Sequence, residues 1–132
     1  MKKIKDLKSE IVLLVLLAAV IGGASSYSIY LESISRELTK KSEAIAVCLS
    51  KNDTKSAYRM TTELEDYLER KKIPLASTIE HSYVDEIDKN IKMLSVYTRE
   101  GQTSDAKAHL EVLYMLFEHL PKNYRITLEN IL

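Results

Sequence analysis

The residues of this chain best suited to chemistry are two Glu-His pairs, Glu80-His81 and Glu118-His119, with Asp85 one helical turn beyond His81. Imidazole and carboxylate are ligands for divalent metals, and imidazole also titrates near neutral pH. The two pairs lie nearly equidistant from Gly101, so an antiparallel helix pair turning there would bring them to one level. His81, Asp85 and His119 are the residues to test for a metal site. The plainer alternative is that both pairs sit on solvated ends of amphipathic helices, and His109 lies elsewhere. No metal site is assigned on this basis, and no cofactor. Cys48 is the single cysteine, which excludes an intramolecular disulfide and a CxxC or Cys/His zinc site. It falls on an inward helical stripe, as a small apolar core residue would, with an intermolecular disulfide as the alternative. HExxH, GxSxG, P-loop and GxGxxG patterns are absent from the sequence. Acidic pairs such as Glu63 and Glu65 or Asp85 and Glu86 read as solvated helix faces. A non-enzymatic protein with no catalytic residue is expected.

The elements that position these residues begin with Ile11 to Leu31, IVLLVLLAAVIGGASSYSIYL, which carries no charge. Lys2, Lys3, Lys5 and Lys8 precede it. A basic start, an apolar run and Gly22-Gly23-Ala24 suit a cleaved signal peptide. A retained anchor accounts for more. A helix of this length covers roughly 30 Å, the thickness of a hydrocarbon core. Tyr27 and Tyr30 stand where an interfacial aromatic belt belongs. Leu31, Ile34, Leu38, Ile45 and Leu49 then continue at helical spacing without Pro or Gly, so the span is expected to run on into the first helix of the domain. The lysines before the span and Glu32 after it place the N-terminus in the cytoplasm and the domain outside. The expected organisation is a cytoplasmic basic N-terminus (1–10), a transmembrane anchor (11–31), an extracytoplasmic four-helix domain (32–120) and an apolar C-terminal tail (121–132).

Few breakers favour helix throughout: the chain has three Gly and two Pro in 132 residues. Four helices follow from the spacing of apolar residues. The first ends near Ser50. The second runs from Thr54 to about Lys72, N-capped by Asn52 or Asp53, with Ala57, Met60, Leu64, Tyr67 and Leu68 inward and Ile73-Pro74 as its stop. The third runs from Leu75 or Thr78 to Glu100, with Val84, Ile87, Ile91 and Leu94 inward. The fourth runs from Ser104 to Leu120, with Ala106, Leu110, Leu113, Phe117 and Leu120 inward. Val112 and Leu116 form a second apolar face that leaves room for a homo-oligomer. A repeat at an offset of 49 pairs Asn52 with Gly101, Ala57 with Ala106, Leu64 with Leu113, and Cys48 with Tyr97. The fold class is therefore all-α: an N-terminal transmembrane helix continuing into an antiparallel four-helix domain of two helical hairpins. The hairpins could close as a bundle or stack like tetratricopeptide hairpins, whose opening [NG]-x4-A is similar.

Antiparallel order sends the turns at Asn52 and Gly101 away from the membrane. Arg70, Lys71, Lys72 and the tail residues Lys122 and Arg125 return towards it. These cations would face anionic lipid or an acidic loop of a membrane partner, or else complement helix C-terminal dipoles. Gly22 and Ser26 give the span a small-xxx-small face on which a partner helix could pack. The tail ends in Ile126, Leu128, Ile131 and Leu132, too apolar to dangle in water. Taking the four Lys and two acids of the first 31 residues from 19 basic and 19 acidic leaves 15 and 17. That balance gives no electrostatic case for nucleic acid.

The ending EHLP, four residues, then ITLENIL resembles that of a family of small single-pass proteins of clostridia and related Gram-positive bacteria, domain of unknown function 4363. The likeness extends over nearly the whole chain. It implies no catalytic residues and suggests an accessory subunit of a multi-pass membrane protein. Three functions follow as expectations: a membrane-anchored interaction module with an integral membrane partner, an extracytoplasmic ligand- or metal-binding sensor or carrier, and a self-associating structural membrane protein.

Overall fold

The computed structural model describes residues 2–123, and among these there is no strand. α1 is a single helix from Lys2 to Ser50, α2 spans Thr54–Ala76, α3 His81–Arg99 and α4 Thr103–His119; a short 3-10 helix, Leu120–Asn123, follows. Helix α1 is 49 residues long, about 73 Å at 1.5 Å per residue. Only its second half belongs to the bundle. From Leu31 onwards it buries Leu31, Ile34, Leu38, Ile45 and Leu49, a 3–4 spacing that keeps one face turned to the core. The inward stripes of α3 and α4 expected from the sequence are buried in full. On α2, Ala57, Leu64 and Leu68 are buried while Met60 and Tyr67 are half-buried against the core. Helix α4 packs on α1 as well as on α3, and α2 on both α1 and α3. The four helices thus form a closed bundle, and the stacked alternative falls.

The two hairpins are copies. At each distal turn the helix ends in a left-handed residue, Asn52 at φ 55° and Gly101 at φ 73°. The same paired hydrogen bonds close both: Asn52 N–H to Leu49 C=O (3.0 Å) and Asp53 N–H to Cys48 C=O (2.9 Å), then Gly101 N–H to Thr98 C=O (3.3 Å) and Gln102 N–H to Tyr97 C=O (2.8 Å). This is the Schellman arrangement, which satisfies carbonyls the helix end would leave unpaired. Side chains follow the 49-residue offset too. Cys48 meets Met60 with its sulfurs 3.5 Å apart, and the equivalent Tyr97 stacks on His109 at 5.2 Å. Across the turns Thr103 donates to Asn52 Oδ1 (2.9 Å), and the equivalent Thr54 is the nearest atom, at 4.0 Å, to a Cβ built on Gly101. Reciprocal contacts of this kind mean that the hairpins face one another across an approximate two-fold axis.

The boundary between α2 and α3 departs from expectation. Pro74 does not stop α2, which continues to Ala76; Leu75 belongs to α2, and α3 starts only at His81 behind Glu80. Proline removes one donor, here the partner of the Arg70 carbonyl, within the last turns of the helix. Complete burial of Leu75 holds the chain in helical register past that gap. The freed end is then tied back: Ser77 Oγ donates to Pro74 C=O (2.7 Å), and Ile79 N–H to Leu75 C=O (2.8 Å).

Candidate membrane-proximal interaction site

Where α1 leaves its apolar segment, two tyrosines join it to the bundle. Tyr27 and Tyr30 lie 5.8 Å apart between ring centroids and are half-buried against the core. The Tyr27 hydroxyl donates to Pro74 C=O (3.2 Å) and shares a hydrogen bond with the Thr78 hydroxyl. Tyr27 therefore ties α1 to the corner between α2 and α3.

Above them the basic end of α2 folds onto aromatic faces. Lys71 Nζ is 5.6 Å from the ring centres of both Tyr30 and Tyr67, Arg70 lies 5.9 Å from Tyr67, and Lys41 of α1 5.5 Å from the same ring. Cations over ring faces are held by the ring quadrupole without being neutralised. Among the described residues neither Arg70 nor Lys71 has a carboxylate within ion-pair distance. Burial raises the Tyr67 hydroxyl pKa, with Glu37 and Tyr30 adding to it and Arg70 opposing.

Lys72 differs from its neighbours. It pairs with Glu69 (2.6 Å) and across the helix interface with Asp88 (3.2 Å), which also meets Lys92 (2.9 Å). Burial pushes the Asp88 carboxyl up, but hydrogen bonds from Lys92 and Lys72 outweigh it and hold it below the usual value. Lys72 is thus committed to joining α2 to α3 and is not free to meet lipid as expected. Its rotational position on α2, which decides this, was beyond reach of the sequence.

The remaining candidates separate. His81 and Asp85 line a shallow depression of about 250 Å³ with Lys72, Ile73, Ala76 and Val84. His119 is exposed on α4 and does not line it. Among the described residues no group of three or more His, Cys, Asp or Glu is placed to hold a metal ion. His109 is committed to Asn90, Nδ1 to Oδ1 at 3.0 Å. Val112 and Leu116 are half-buried, and Leu116 packs on the core. The outward apolar residue of α4 is instead Met115. Gly22 and Ser26 are exposed on one face of α1, with open space around Gly22. Lys122 is exposed in the 3-10 helix. Arg125, Ile126, Leu128, Ile131 and Leu132 lie outside the described residues.

Below this collar α1 is long and apolar enough to cross a membrane, and none of its most apolar window is buried by the bundle. The chain belongs to the family described as Domain of unknown function (DUF4363). The match covers residues 26–131. The DUF4363 unit therefore takes in Tyr27 and Tyr30 along with the bundle and leaves residues 11–25 outside. No curated protein and no solved structure matches the chain.

Proposed function

We propose that this DUF4363 chain is a non-enzymatic, membrane-anchored interaction module serving as accessory subunit to an integral membrane protein. The observation that carries the reading is the stem. An apolar helix that the bundle leaves wholly uncovered passes without a break into the bundle's own α1. An exposed apolar surface of that size needs lipid or a partner helix. Four lysines before the span favour a cytoplasmic N-terminus with the domain on the outer face, and the cytoplasmic membrane of a Gram-positive cell is what the family resemblance implies. Gly22 and Ser26 supply a face on which a partner helix can come close, and a stiff stem fixes how the bundle is presented to that partner.

The test is purification through a C-terminal tag from native membranes in mild detergent, with intact-mass spectrometry. Full-length chain with a stoichiometric integral membrane protein supports the proposal. Chain cut near Ala24, or arriving alone, overturns it.

A further inference from the structure

We infer that the corner between α2 and α3 is a second membrane contact, in which Ile73 enters the outer interfacial layer while Arg70 and Lys71 bind anionic lipid headgroups. The inference rests on the anchored reading above and adds to it a lipid-binding surface that the stem alone does not require.

Three observations converge. The first is depth. Tyr27 lies four residues, about 6 Å, on the membrane side of Leu31, where the uncharged segment ends. Side chains on a helix lean towards its N-terminus, which on α1 is towards the bilayer. The Tyr27 hydroxyl nevertheless reaches Pro74 C=O at 3.2 Å and the Thr78 hydroxyl. The corner therefore sits about one helical turn inside the end of the apolar segment, a distance comparable to the depth of a headgroup layer, roughly 5–8 Å.

The second is composition. Ile73-Pro74-Leu75-Ala76-Ser77-Thr78-Ile79 carries no charge between Lys72 and Glu80. Leu75 and Ile79 are spent on the core, but Ile73 is 85% exposed, the most exposed large apolar residue described. The distal turns, by contrast, present Lys51, Asn52 and Asp53 or Arg99, Glu100 and Gln102 to water.

The third is charge. Lys72 is neutralised by Glu69 and Asp88, while Arg70 and Lys71, one turn above Ile73, rest on tyrosine rings and keep their charge. An apolar tip below two uncompensated cations matches the layering of an anionic bilayer, acyl chain below phosphate. An acidic loop of a protein partner would satisfy the cations but leaves Ile73 and the uncharged corner without a role.

The experiment uses the full chain with Cys48→Ala, carrying one cysteine at a time labelled with an environment-sensitive fluorophore. It is reconstituted in phosphatidylcholine vesicles with or without phosphatidylglycerol, and quenching is read from a lipid bearing a nitroxide at the top of its acyl chain. The sites are Ile73→Cys at the corner, Leu14→Cys in the span and Val47→Cys, an exposed apolar position near the distal turn. The expected result is a blue shift and loss of emission at 14 and 73 and none at 47. The loss at 73 should shrink without phosphatidylglycerol and in Arg70→Gln/Lys71→Gln, while that at 14 is unchanged. Quenching at 14 without quenching at 73 leaves the anchor standing and overturns the corner contact. Quenching at 73 that ignores both phosphatidylglycerol and the two substitutions overturns the headgroup assignment. Quenching at neither site means the anchored reading itself has failed.

Discussion

The two ends of the bundle are made by the same hairpin yet have diverged. At the distal end the turns repeat one another bond for bond: a left-handed residue, the Schellman pair, a small alanine one turn later, and Thr103 reaching Asn52 across the two-fold. Charged side chains there face water. At the end beside the stem the symmetry is gone. Helix α2 runs on through Pro74 to Ala76, while α4 gives way to a 3-10 turn at Leu120. Tyrosines gather under cations, and an isoleucine stands exposed. Features shared by both repeats serve folding, since each hairpin needs a turn and a packed face. Features found in one copy only are where a role beyond folding can be sought, and they gather beside the stem.

The largest expected effect is on the symmetric part. Phe117 and its equivalent Leu68 are both fully buried. Phe117→Ala should cost about 3–5 kcal/mol and Leu68→Ala about 2–5 kcal/mol, read from urea unfolding of the full chain in detergent. A loss below about 1 kcal/mol at Phe117 with a normal loss at Leu68 would mean that α4 does not close on α1.

Next comes the ion pair that breaks the symmetry. Asp88→Asn should cost about 1–2 kcal/mol, because Lys72 and Lys92 lose a partly buried charged acceptor. The pH dependence has a definite sign. The Asp88 pKa is lowered on folding, so its contribution is complete above the ordinary carboxylate value, about 4, and is lost as pH falls through the lowered value. Melting temperature followed from neutral pH to acid should fall less steeply in Asp88→Asn than in the unaltered chain. Parallel curves would show that Asp88 gains nothing from its lysines on folding.

The contrast also explains what could be read from the sequence. The apolar stripes and the 49-residue repeat were legible because burial of Leu, Ile and Ala leaves a period in the chain. Ser42, Thr61 and Thr98 were missed as core residues since their types suggest solvent. Each is buried at low cost because its hydroxyl donates to a carbonyl one turn back, Leu38, Ala57 and Leu94 respectively, at 2.8–2.9 Å. Pro74 misled for a related reason: a local rule for helix ends lost to burial of the next residue, Leu75. The Lys72–Asp88 pair and the tyrosine collar depend on how helices are rotated against each other, and no local spacing records that. The stem alone was plain from composition.

A smaller effect tests whether the distal turns are equivalent. Gly101→Ala places a Cβ at φ 73°, a left-handed conformation that costs a non-glycine residue about 1–2 kcal/mol. Asn52→Gly should shift stability by less than about 0.5 kcal/mol, since relief of backbone strain offsets loss of the Thr103 hydrogen bond. Chemical denaturation of both variants should show this order. Equal losses would mean that the side chain of Asn52 carries as much as the backbone of Gly101.

The smallest effect on folding should come from Lys71, at the asymmetric end. Lys71 touches two rings but has no carboxylate partner among the described residues. A partly exposed cation–π contact contributes about 0.5–1 kcal/mol, and Lys71→Met keeps most of the side-chain stem over Tyr30 and Tyr67. Its unfolding free energy in neutral detergent should therefore stay within about 0.5 kcal/mol of the unaltered chain. Near an anionic bilayer the same substitution removes about 1 kcal/mol of attraction, an effect that added salt should erase in the unaltered chain. A residue kept for packing would show the reverse, a clear loss in detergent and no dependence on lipid charge. Measuring Lys71→Met in both settings therefore separates a cation held for the fold from one held for the membrane.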